Sequence, residues 1–269
     1  MELCSIASGS SGNCIYVGSD HTHLLVDVGI SKKKVEEALN SMGLKPEDIH
    51  GILITHEHSD HVAGLGIMAR RYGIPIYASQ GTIEAVKDIK ALGDIDAGLF
   101  NVIRADERFR IEDITIAPVR ISHDAREPVA YRLFGDEHGD EHSVGVLTDL
   151  GRYDDYIVNA FFGVEALLIE ANHDVNMLSV GKYPYALKQR ILGDKGHLSN
   201  ESCGRLLCEL LHDNIKRIML GHLSKENNLA ELAYETVRLE IMMDKCPYKP
   251  EDFHISVAGR QERSELIAV

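Results

Sequence analysis

The stretch Thr55-His56-Glu57-His58-Ser59-Asp60-His61 decides the fold of this 269-residue chain. The apolar run Gly51-Ile52-Leu53-Ile54 before it predicts a buried strand, and the segment Val62 to Tyr72 after it predicts a helix. Four potential metal ligands therefore fall within six residues, at a turn between a strand and a helix.

The side chains of these four potential ligands are expected to point in two directions. In an extended segment His56 and His58 project to the same side, whereas Asp60 and His61 enter the first turn of the helix and face another way. The geometry offers two pairs of ligands to two adjacent cations. Imidazole and carboxylate together suit zinc, manganese or iron. Three histidines and an aspartate at this spacing are not typical of a solvated loop.

The composition is that of a globular protein. Hydrophobic residues make up 44% and charged residues 26%, which excludes disorder as the main state. No apolar run approaches the ~20 residues that a membrane helix needs. The net charge of −14 argues against a protein that coats DNA or membranes nonspecifically, but one basic patch or bound metal ions could still hold phosphates. The segment from Met1 to Ser5 has no basic or apolar leader pattern, so we expect a cytoplasmic protein with reduced, mostly buried cysteines.

The order of predicted elements is β-rich, then α, then β-rich, then α. This order predicts an α/β fold of two stacked sheets with helices outside, in a single domain over residues 1–269. The acidic connector Gly135–His142 is interpreted as a solvated loop. The predicted helices are Lys32–Met42, Val62–Tyr72, Gly81–Leu92, Arg152–Phe162, Pro184–Leu192, Ser202–His212 and Leu229–Lys245.

The HxHxDH run resembles the signature of the metallo-β-lactamase-fold hydrolases. The resemblance implies an αββα sandwich of two mixed sheets and further ligands that follow strands, and residues of the expected types are present at those places. It implies one metal held by His56, His58 and His123, a second held by Asp60, His61 and His222, a bridging Asp149, and a supporting Asp27. The implied cofactor is two divalent ions, zinc first, with manganese or iron as alternatives.

Such a site has a clear chemistry. Two cations about 3.5–4 Å apart can share a hydroxide and clamp the attacking and leaving oxygens of an in-line displacement. Water bound to such an ion reaches a pKa of ~7, which supplies a nucleophile at neutral pH. The candidate catalytic residues are Asp60, which is also a ligand, and His197.

Five further phrases are together similar to the WalJ (YycJ) family of metallo-β-lactamase-fold proteins. The resemblance implies a bacterial 5′-to-3′ DNA exonuclease linked to mismatch repair, with single-stranded or nicked DNA ends as substrate. The phrases are Ser8–Asn13, Ile121–Ala125, Glu170–Asp174, Gly196–Asn200 and Gly221–Asn228. The first of them is equally typical of a plain hairpin turn.

The segment Gly196–Ser199 also resembles the part of RNase Z that carries a catalytic histidine. An imidazolium at His197 could protonate the alkoxide that leaves when a phosphodiester is cleaved, or His197 could simply belong to a turn before the helix that starts at Ser202. His173 could support His197, contact substrate or pack in a turn.

The segment Gly181–Lys195 is basic in an otherwise acidic chain. Lys182, Lys188 and Arg190 are the candidate contacts to backbone phosphates, and the interleaved Tyr183 and Tyr185 could stack on unpaired bases. A solvated helix face is the alternative.

Four alternative functions differ in what they would require of the sequence. An RNA-processing nuclease or a thioester or lactam hydrolase could use the same fold, although a bridging Asp149 favours a phosphodiesterase. A non-catalytic binding module would not need the full ligand set, and a flavodiiron-type redox protein would need a flavin domain that this length does not supply. DNA against RNA, exonuclease against endonuclease, and a possible homo-oligomer stay open, and no membrane partner is expected.

Overall fold

The structure, a computed structural model, describes residues 1–137, 140–243 and 246–269. Within these residues the strands form two seven-stranded sheets. The first sheet has the order β14-β1-β2-β3-β4-β5-β6, with β1 Glu2–Ala7, β2 Cys14–Gly18, β3 His23–Val26, β4 Gly51–Leu53, β5 Ile76–Ser79, β6 Phe100–Ile103 and β14 Ile267–Ala268. The second has the order β13-β12-β11-β10-β9-β8-β7, with β7 Phe109–Ile111, β8 Ile114–Arg120, β9 Val129–Glu137, β10 Asp140–Leu147, β11 Ala166–Glu170, β12 Arg217–Gly221 and β13 Ile255–Val257.

Both sheets are mixed, and they follow the same plan. In the first sheet β14, β1, β2 and β3 pair antiparallel, and β3 to β6 pair parallel. In the second sheet β7 to β10 pair antiparallel, and β10 to β13 pair parallel. Parallel strands end at a common edge, so each sheet presents a row of strand carboxyl ends there.

Successive side chains of a strand point to opposite faces of its sheet, and this alternation assigns them to different layers of the fold. Leu24 and Val26 of β3 join the apolar core between the sheets, together with Leu168 of β11. Leu25 and Leu167 point to the opposite faces, where helices cover them. Burying each such side chain stabilises the fold by about 1.5–3 kcal/mol.

The helices form the two outer layers. They are α1 Lys32–Ser41, α2 Ser59–Val62, α3 Leu65–Tyr72, α4 Gln80–Asp88, α5 Asp155–Phe161, α6 Val175–Val180, α7 Tyr185–Leu192, α8 Asn200–Leu210 and α9 Ala230–Met243. Helices α1, α3 and α4 pack on the first sheet, and α5, α8 and α9 pack on the second. The αββα sandwich predicted from the sequence is confirmed.

Two local predictions were wrong. Strands β9 and β10 pair as far as Glu137 and Asp140, so most of the connector Gly135–His142 is strand, because an antiparallel ladder satisfies the backbone whatever the side-chain charge. Its turn, 138–139, lies outside the described residues. The helix predicted over Val62–Tyr72 is two helices, α2 and α3, which meet at Gly64, where a Cβ atom would lie 2.0 Å from the Ile30 carbonyl oxygen.

The last helix prediction reached Lys245, and residues 244–245 also lie outside the described part. In the ranges given above, no helix combines the length and apolar character that a membrane crossing requires.

Candidate metal centre

Strand ends from both sheets bring the predicted ligands to one edge of the sandwich. Asp27 follows β3, the stretch Thr55–His61 follows β4, and His222 follows β12. His123 and Asp149 come after β8 and β10, which run in the same direction because each is antiparallel to β9. The two rows of carboxyl ends thus converge on one cluster.

Three of these residues have an unusual backbone. Asp27, Asp149 and His222 have φ angles of 61°, 59° and 53°, the left-handed region that non-glycine residues rarely adopt. Each turns the chain sharply just after a strand, which aims its side chain back across the sheet edge. Such strain persists where the surrounding structure fixes it, typically at functional sites.

A close approach holds the ligand turn in place. The backbone N–H of Asn13 donates to the Asp60 carbonyl oxygen at 2.7 Å, and the N–H of Gly29 donates to the Asn13 carbonyl oxygen at 2.7 Å. A Cβ atom on Gly29 would lie 1.7 Å from the Asp60 carbonyl oxygen, so only glycine fits there.

His56, His58 and His123 form the first group of possible ligands. His123 Nε2 lies 3.2 Å from His58 Nδ1, and the His56 ring centroid lies 4.6 Å and 4.9 Å from those of His58 and His123. His56 and His123 are buried, whereas His58 is partly exposed.

Asp60, His61 and His222 form the second group. Asp60 Oδ2 lies 3.5 Å from His61 Nε2 and 3.4 Å from His222 Nε2. Asp149 lies between the groups: its Oδ2 is 3.2 Å from His61 Nε2, and its Oδ1 is 3.8 Å from His123 Nε2. The structure therefore brings all seven predicted ligands together.

Asp27 supports this cluster. Its carboxylate accepts from the Thr55 backbone N–H at 2.8 Å and from the Thr55 hydroxyl at 2.7 Å. Its Oδ2 also lies 2.7 Å from His61 Nδ1, which leaves His61 Nε2 directed at the cluster.

Glu170 is the functional residue that sequence reasoning missed. This fully buried carboxylate lies 2.8 Å from His222 Nδ1 and 2.8 Å from His197 Nδ1, through the same Oε1 atom. Its Oε2 accepts from the backbone N–H groups of Leu150 and Leu198. The available signal was its position: Glu170 ends a buried apolar strand at the same edge as the other acids.

The electrostatics favour a cation. Burial disfavours the protonated rings of His61 and His222, yet the carboxylates of Asp149, Asp60 and their neighbours raise the pKa of both, that of His222 to about 10. Burial likewise opposes ionisation of Glu170, but His197 and His222 lower its pKa to about 2. The rings of His61 and His222 therefore sit in a strongly negative potential, whereas burial dominates at His56 and His123 and lowers their pKa.

The donor set fits divalent metal ions. His56 Nε2 is buried and has no hydrogen-bond partner among the described residues. Buried polar atoms left unpaired are costly and uncommon. Imidazole and carboxylate donors with their outer nitrogens fixed by Asp27, Glu170 and the Gly196 carbonyl oxygen match the pattern of a metal centre.

A cleft of about 220 Å³ opens onto the cluster. Its lining includes His58, Asp60 and His197, together with Tyr183, Leu187 and Arg190 from α7 and the residues just before it, and Ser10 and Ser224 from two loops. Arg190 Nε donates to Asp124, whose carboxylate also lies 3.4 Å from His123 Nε2.

The other predicted substrate contacts lie farther out. Lys182 and Lys188 do not line the cleft, and Lys188 Nζ donates to the Ser179 carbonyl oxygen at 2.7 Å. His173 is buried away from the cleft, and neither of its ring nitrogens has a hydrogen-bond partner among the described residues. Burial lowers its pKa to about 4, so the ring is neutral. Its supporting role stays a prediction.

An αββα sandwich with a His/Asp cluster at its shared strand ends defines a metal-dependent hydrolase of the metallo-β-lactamase fold. The Beta-lactamase superfamily domain matches residues 22–223 of the chain. The exodeoxyribonuclease WalJ of Streptococcus pneumoniae is 44% identical over 232 residues, 86% of this chain and 85% of the relative. The exodeoxyribonuclease YycJ of Bacillus anthracis is 39% identical over 237 residues, 88% of each chain. The chain belongs to the metallo-β-lactamase superfamily and, within it, to the family of WalJ and YycJ.

A solved structure shares the fold at much lower sequence identity. Unliganded yeast PDE1 superposes with a TM-score of 0.72 at 12% identity, over 99% of both chains.

Proposed function

We propose that this chain is a dinuclear-metal-dependent 5′-to-3′ DNA exonuclease that acts in mismatch repair. One observation carries the proposal: His197 lines the cleft beside the metal-ligand cluster and forms an ion pair with the buried Glu170. Phosphodiester cleavage needs a charge-neutralising centre and a proton donor for the leaving oxygen. The exodeoxyribonuclease names of two relatives at 44% and 39% identity support the same reaction.

The metal ligands proposed are the seven that converge in the structure. His56, His58 and His123 would hold one ion, and Asp60, His61 and His222 the other, with Asp149 shared. Zinc is the first candidate, with manganese and iron as alternatives. When bound, two such ions supply Lewis-acid activation of water and of the phosphate group.

His197 is the proposed proton donor. Glu170 engages its Nδ1, so its Nε2 is the nitrogen left for the cleft. Burial opposes protonation of this ring, but the Glu170 carboxylate outweighs it and raises the pKa of His197 above its ordinary value. A protonated ring facing the reacting phosphate can hand its proton to the departing oxygen. Asp60, which also lines the cleft, is the second candidate catalytic group.

The cleft suits the end of one strand. Its volume of about 220 Å³ is too small for a double helix, so a terminus would enter unpaired. Arg190 and Tyr183 on its wall can bind a phosphate and stack on a base. Lys182 and Lys188 would act at longer range.

The test uses purified, metal-loaded protein and labelled nucleic acids. We expect mononucleotides released from the 5′ end of single-stranded and nicked DNA, with slower or no release from RNA and no turnover of lactams or thioesters. DNA labelled at the 5′ or the 3′ end reports the direction of degradation, and matched RNA substrates report the sugar preference. Closed circular DNA distinguishes endonuclease from exonuclease action, because it has no end. Faster hydrolysis of a lactam or thioester than of any phosphodiester, in the same preparation, would overturn the proposal.

A further inference from the structure

The loop Ser8–Asn13 lies beside the cleft, but the proposed reaction assigns it only the support of metal-ligand residues. The two ends of the loop support residues of the metal-ligand cluster. Asn13 Nδ2 lies 3.0 Å from His61 Nε2, and the Ser8 hydroxyl accepts from the His222 backbone N–H at 2.8 Å. Its tip is different. The side chains of Ser10 and Ser11 are exposed, and neither hydroxyl has a hydrogen-bond partner in the described part of the chain.

This loop forms a wall between two cavities. Gly9 pairs with Leu223 in a parallel bridge, which joins the loop to the turn after His222. Arg260 stiffens that turn, because its guanidinium donates to the carbonyl oxygens of Leu223 and Ser224 at 3.3 Å and 2.5 Å. On one side of the wall is the catalytic cleft, lined by Ser10 and Ser224.

On the other side is a larger cavity of about 540 Å³, called here the outer pocket. It begins at the residues next in sequence, Ser11 and Lys225, and is walled by Leu223, Leu229 and Val257. The outer pocket therefore lies next to the cleft, on the other side of the loop tip.

The outer pocket is lined by both charged and apolar residues. Lys225 at its mouth is exposed and has no ion-pair partner in the ranges described. The wall beyond is mostly apolar, and Leu229 is 57% exposed there. Arg260 and Glu262 also line the pocket, so it holds a second cation and one carboxylate that can accept a hydrogen bond from an amino group.

We propose that the outer pocket is a second nucleotide subsite, which binds the nucleoside adjoining the one at the metal centre. The Ser10 and Ser11 hydroxyls and the Lys225 ammonium hold the phosphate between the two nucleosides, and Leu229 and Val257 contact the base. The two cavities share one wall, which is the arrangement that a continuous polynucleotide strand requires. The inference rests on the proposed nuclease function and names where the strand continues.

The experiment compares variants of the metal-loaded enzyme on two substrates. One is a single-stranded 12-mer of deoxythymidine, and the other is bis(p-nitrophenyl) phosphate, which is too short to reach the outer pocket. Lys225→Ala removes the ammonium, and Ala230→Trp places a large ring at the pocket mouth from an exposed position at the start of α9. Lys33→Ala and Ala97→Trp are matched controls at exposed positions on α1 and before β6.

For Lys225→Ala we expect the slope of log(kcat/KM) on the 12-mer against log salt to flatten by about 0.7, the loss of one phosphate contact on a single strand. For Ala230→Trp we expect KM on the 12-mer to rise by about tenfold, the lower end of what one changed apolar contact costs in a binding pocket. Both effects should exceed those on the small ester. The two control variants should behave as the unmodified enzyme on both substrates.

Photocrosslinking gives a readout other than turnover. A 12-mer with 5-iodouracil at the second nucleotide should crosslink to residues 223–230 or 257–262 more than one with the label at the sixth. If DNA is cleaved but both variants match their controls and no crosslink reaches these residues, the outer pocket is not a subsite and the nuclease proposal stands. If no phosphodiester is hydrolysed at all, the proposed function fails and this inference falls with it.

Discussion

Asp149 lies between the two groups of possible metal ligands. It is 1% exposed, and its two oxygens face His61 on one side and His123 and His222 on the other. Asp149→Ala should lower bound metal at both positions, with a larger loss of activity than the ~10–100-fold typical of a supporting residue. Elemental analysis should show close to two transition metals per unmodified chain and fewer in the variant.

The exposed Asp155 on α5 gives the matched control, since Asp155→Ala removes the same charge away from the cluster. Two metals per chain retained in Asp149→Ala would contradict the shared position of Asp149.

His197 and Glu170 should differ in what their loss does. His197→Ala should cut turnover by ~10²–10⁴, the usual worth of a general acid, and leave metal content unchanged. Glu170→Gln weakens the hold on both His197 and His222, so it should lower turnover and also metal affinity by about 10–100-fold. Metal titration and kinetics on the same preparations measure both. If His197→Ala lost metal while Glu170→Gln retained all of it, the roles assigned to His197 and Glu170 would be contradicted.

The metal cluster was predictable because its residue types are rare and closely spaced. Glu170 was not found for the opposite reason: a single carboxylate after Ala166–Ile169 looks like the polar end of a buried strand. Only the fold shows that this strand ends between His197 and His222. Arg190 was predicted as one of three equal cations, but which of them reaches the cleft depends on the packing of α7.

At the scale of elements, α7 is the least anchored helix of the cleft wall. None of its eight residues is buried, yet Leu187, Arg190 and Ile191 line the cleft. We expect Arg190→Ala to raise KM for single-stranded DNA and to flatten its salt dependence by about 0.7 in slope. The rate at saturating DNA should change little, because a phosphate contact is as strong in the ground state as in the transition state.

Lys182→Ala is the comparison for this prediction, since Lys182 lies in the same segment but outside the cleft. A larger effect of Lys182→Ala than of Arg190→Ala on KM would show that the strand runs over the outer face of this segment. Lost saturating turnover in Arg190→Ala would instead give Arg190 a part in the chemistry.

A separate ion-pair group joins three parallel strands. Glu165, just before β11, lies 2.9 Å from Lys216 Nζ and 2.6 Å from His142 Nδ1. Burial would raise the pKa of Glu165, but these two partners outweigh it and lower the pKa below the unfolded value of about 4.3. A lowered carboxyl pKa contributes stability that is present above the unfolded pKa and is lost as pH falls through the folded pKa.

Glu165→Gln should therefore reduce the free energy of unfolding at pH 7 by about 0.5–1 kcal/mol. The difference from the unmodified protein should vanish once the pH lies below the folded pKa. Denaturant unfolding of both proteins across pH measures this, with the exposed Glu37→Gln as control. A difference that grows toward acid pH would mean that the carboxylate is destabilising.

Element boundaries were predictable where burial is continuous. The runs Cys14–Gly18 and Ala166–Glu170 predict strands from sequence alone, and β2 and β11 span these residues, because every position in them is buried. The sequence gives no comparable signal for β6, which is an edge strand with two exposed residues and one partner among the described strands. Its backbone pairs with the neighbouring strand β5, and its own four residues do not predict that pairing.

At the scale of the whole molecule, the metal centre joins the two sheets. His56 and His61 follow a strand of the first sheet, and His123, Asp149 and His222 follow strands of the second. Ions bound across this edge would favour the folded chain, because unfolding separates their ligands. The cluster without cations also confines several carboxylates together, so removing metal should loosen the edge as well as stop catalysis.

The expected result is a change in thermal stability. At free metal about 100-fold above Kd, one site adds ~2.7 kcal/mol to the free energy of unfolding, which for a chain of this size raises Tm by about 5–10 °C. Calorimetry of the purified protein before and after chelation, and again after zinc or manganese is restored, measures the shift. Chelator already saturated with zinc is the control for effects of the reagent, and Asp149→Ala should show a much smaller difference. Equal Tm values for protein shown by elemental analysis to hold two metals and none would mean that the unfolded chain binds the ions as tightly as the folded chain, and would contradict this prediction.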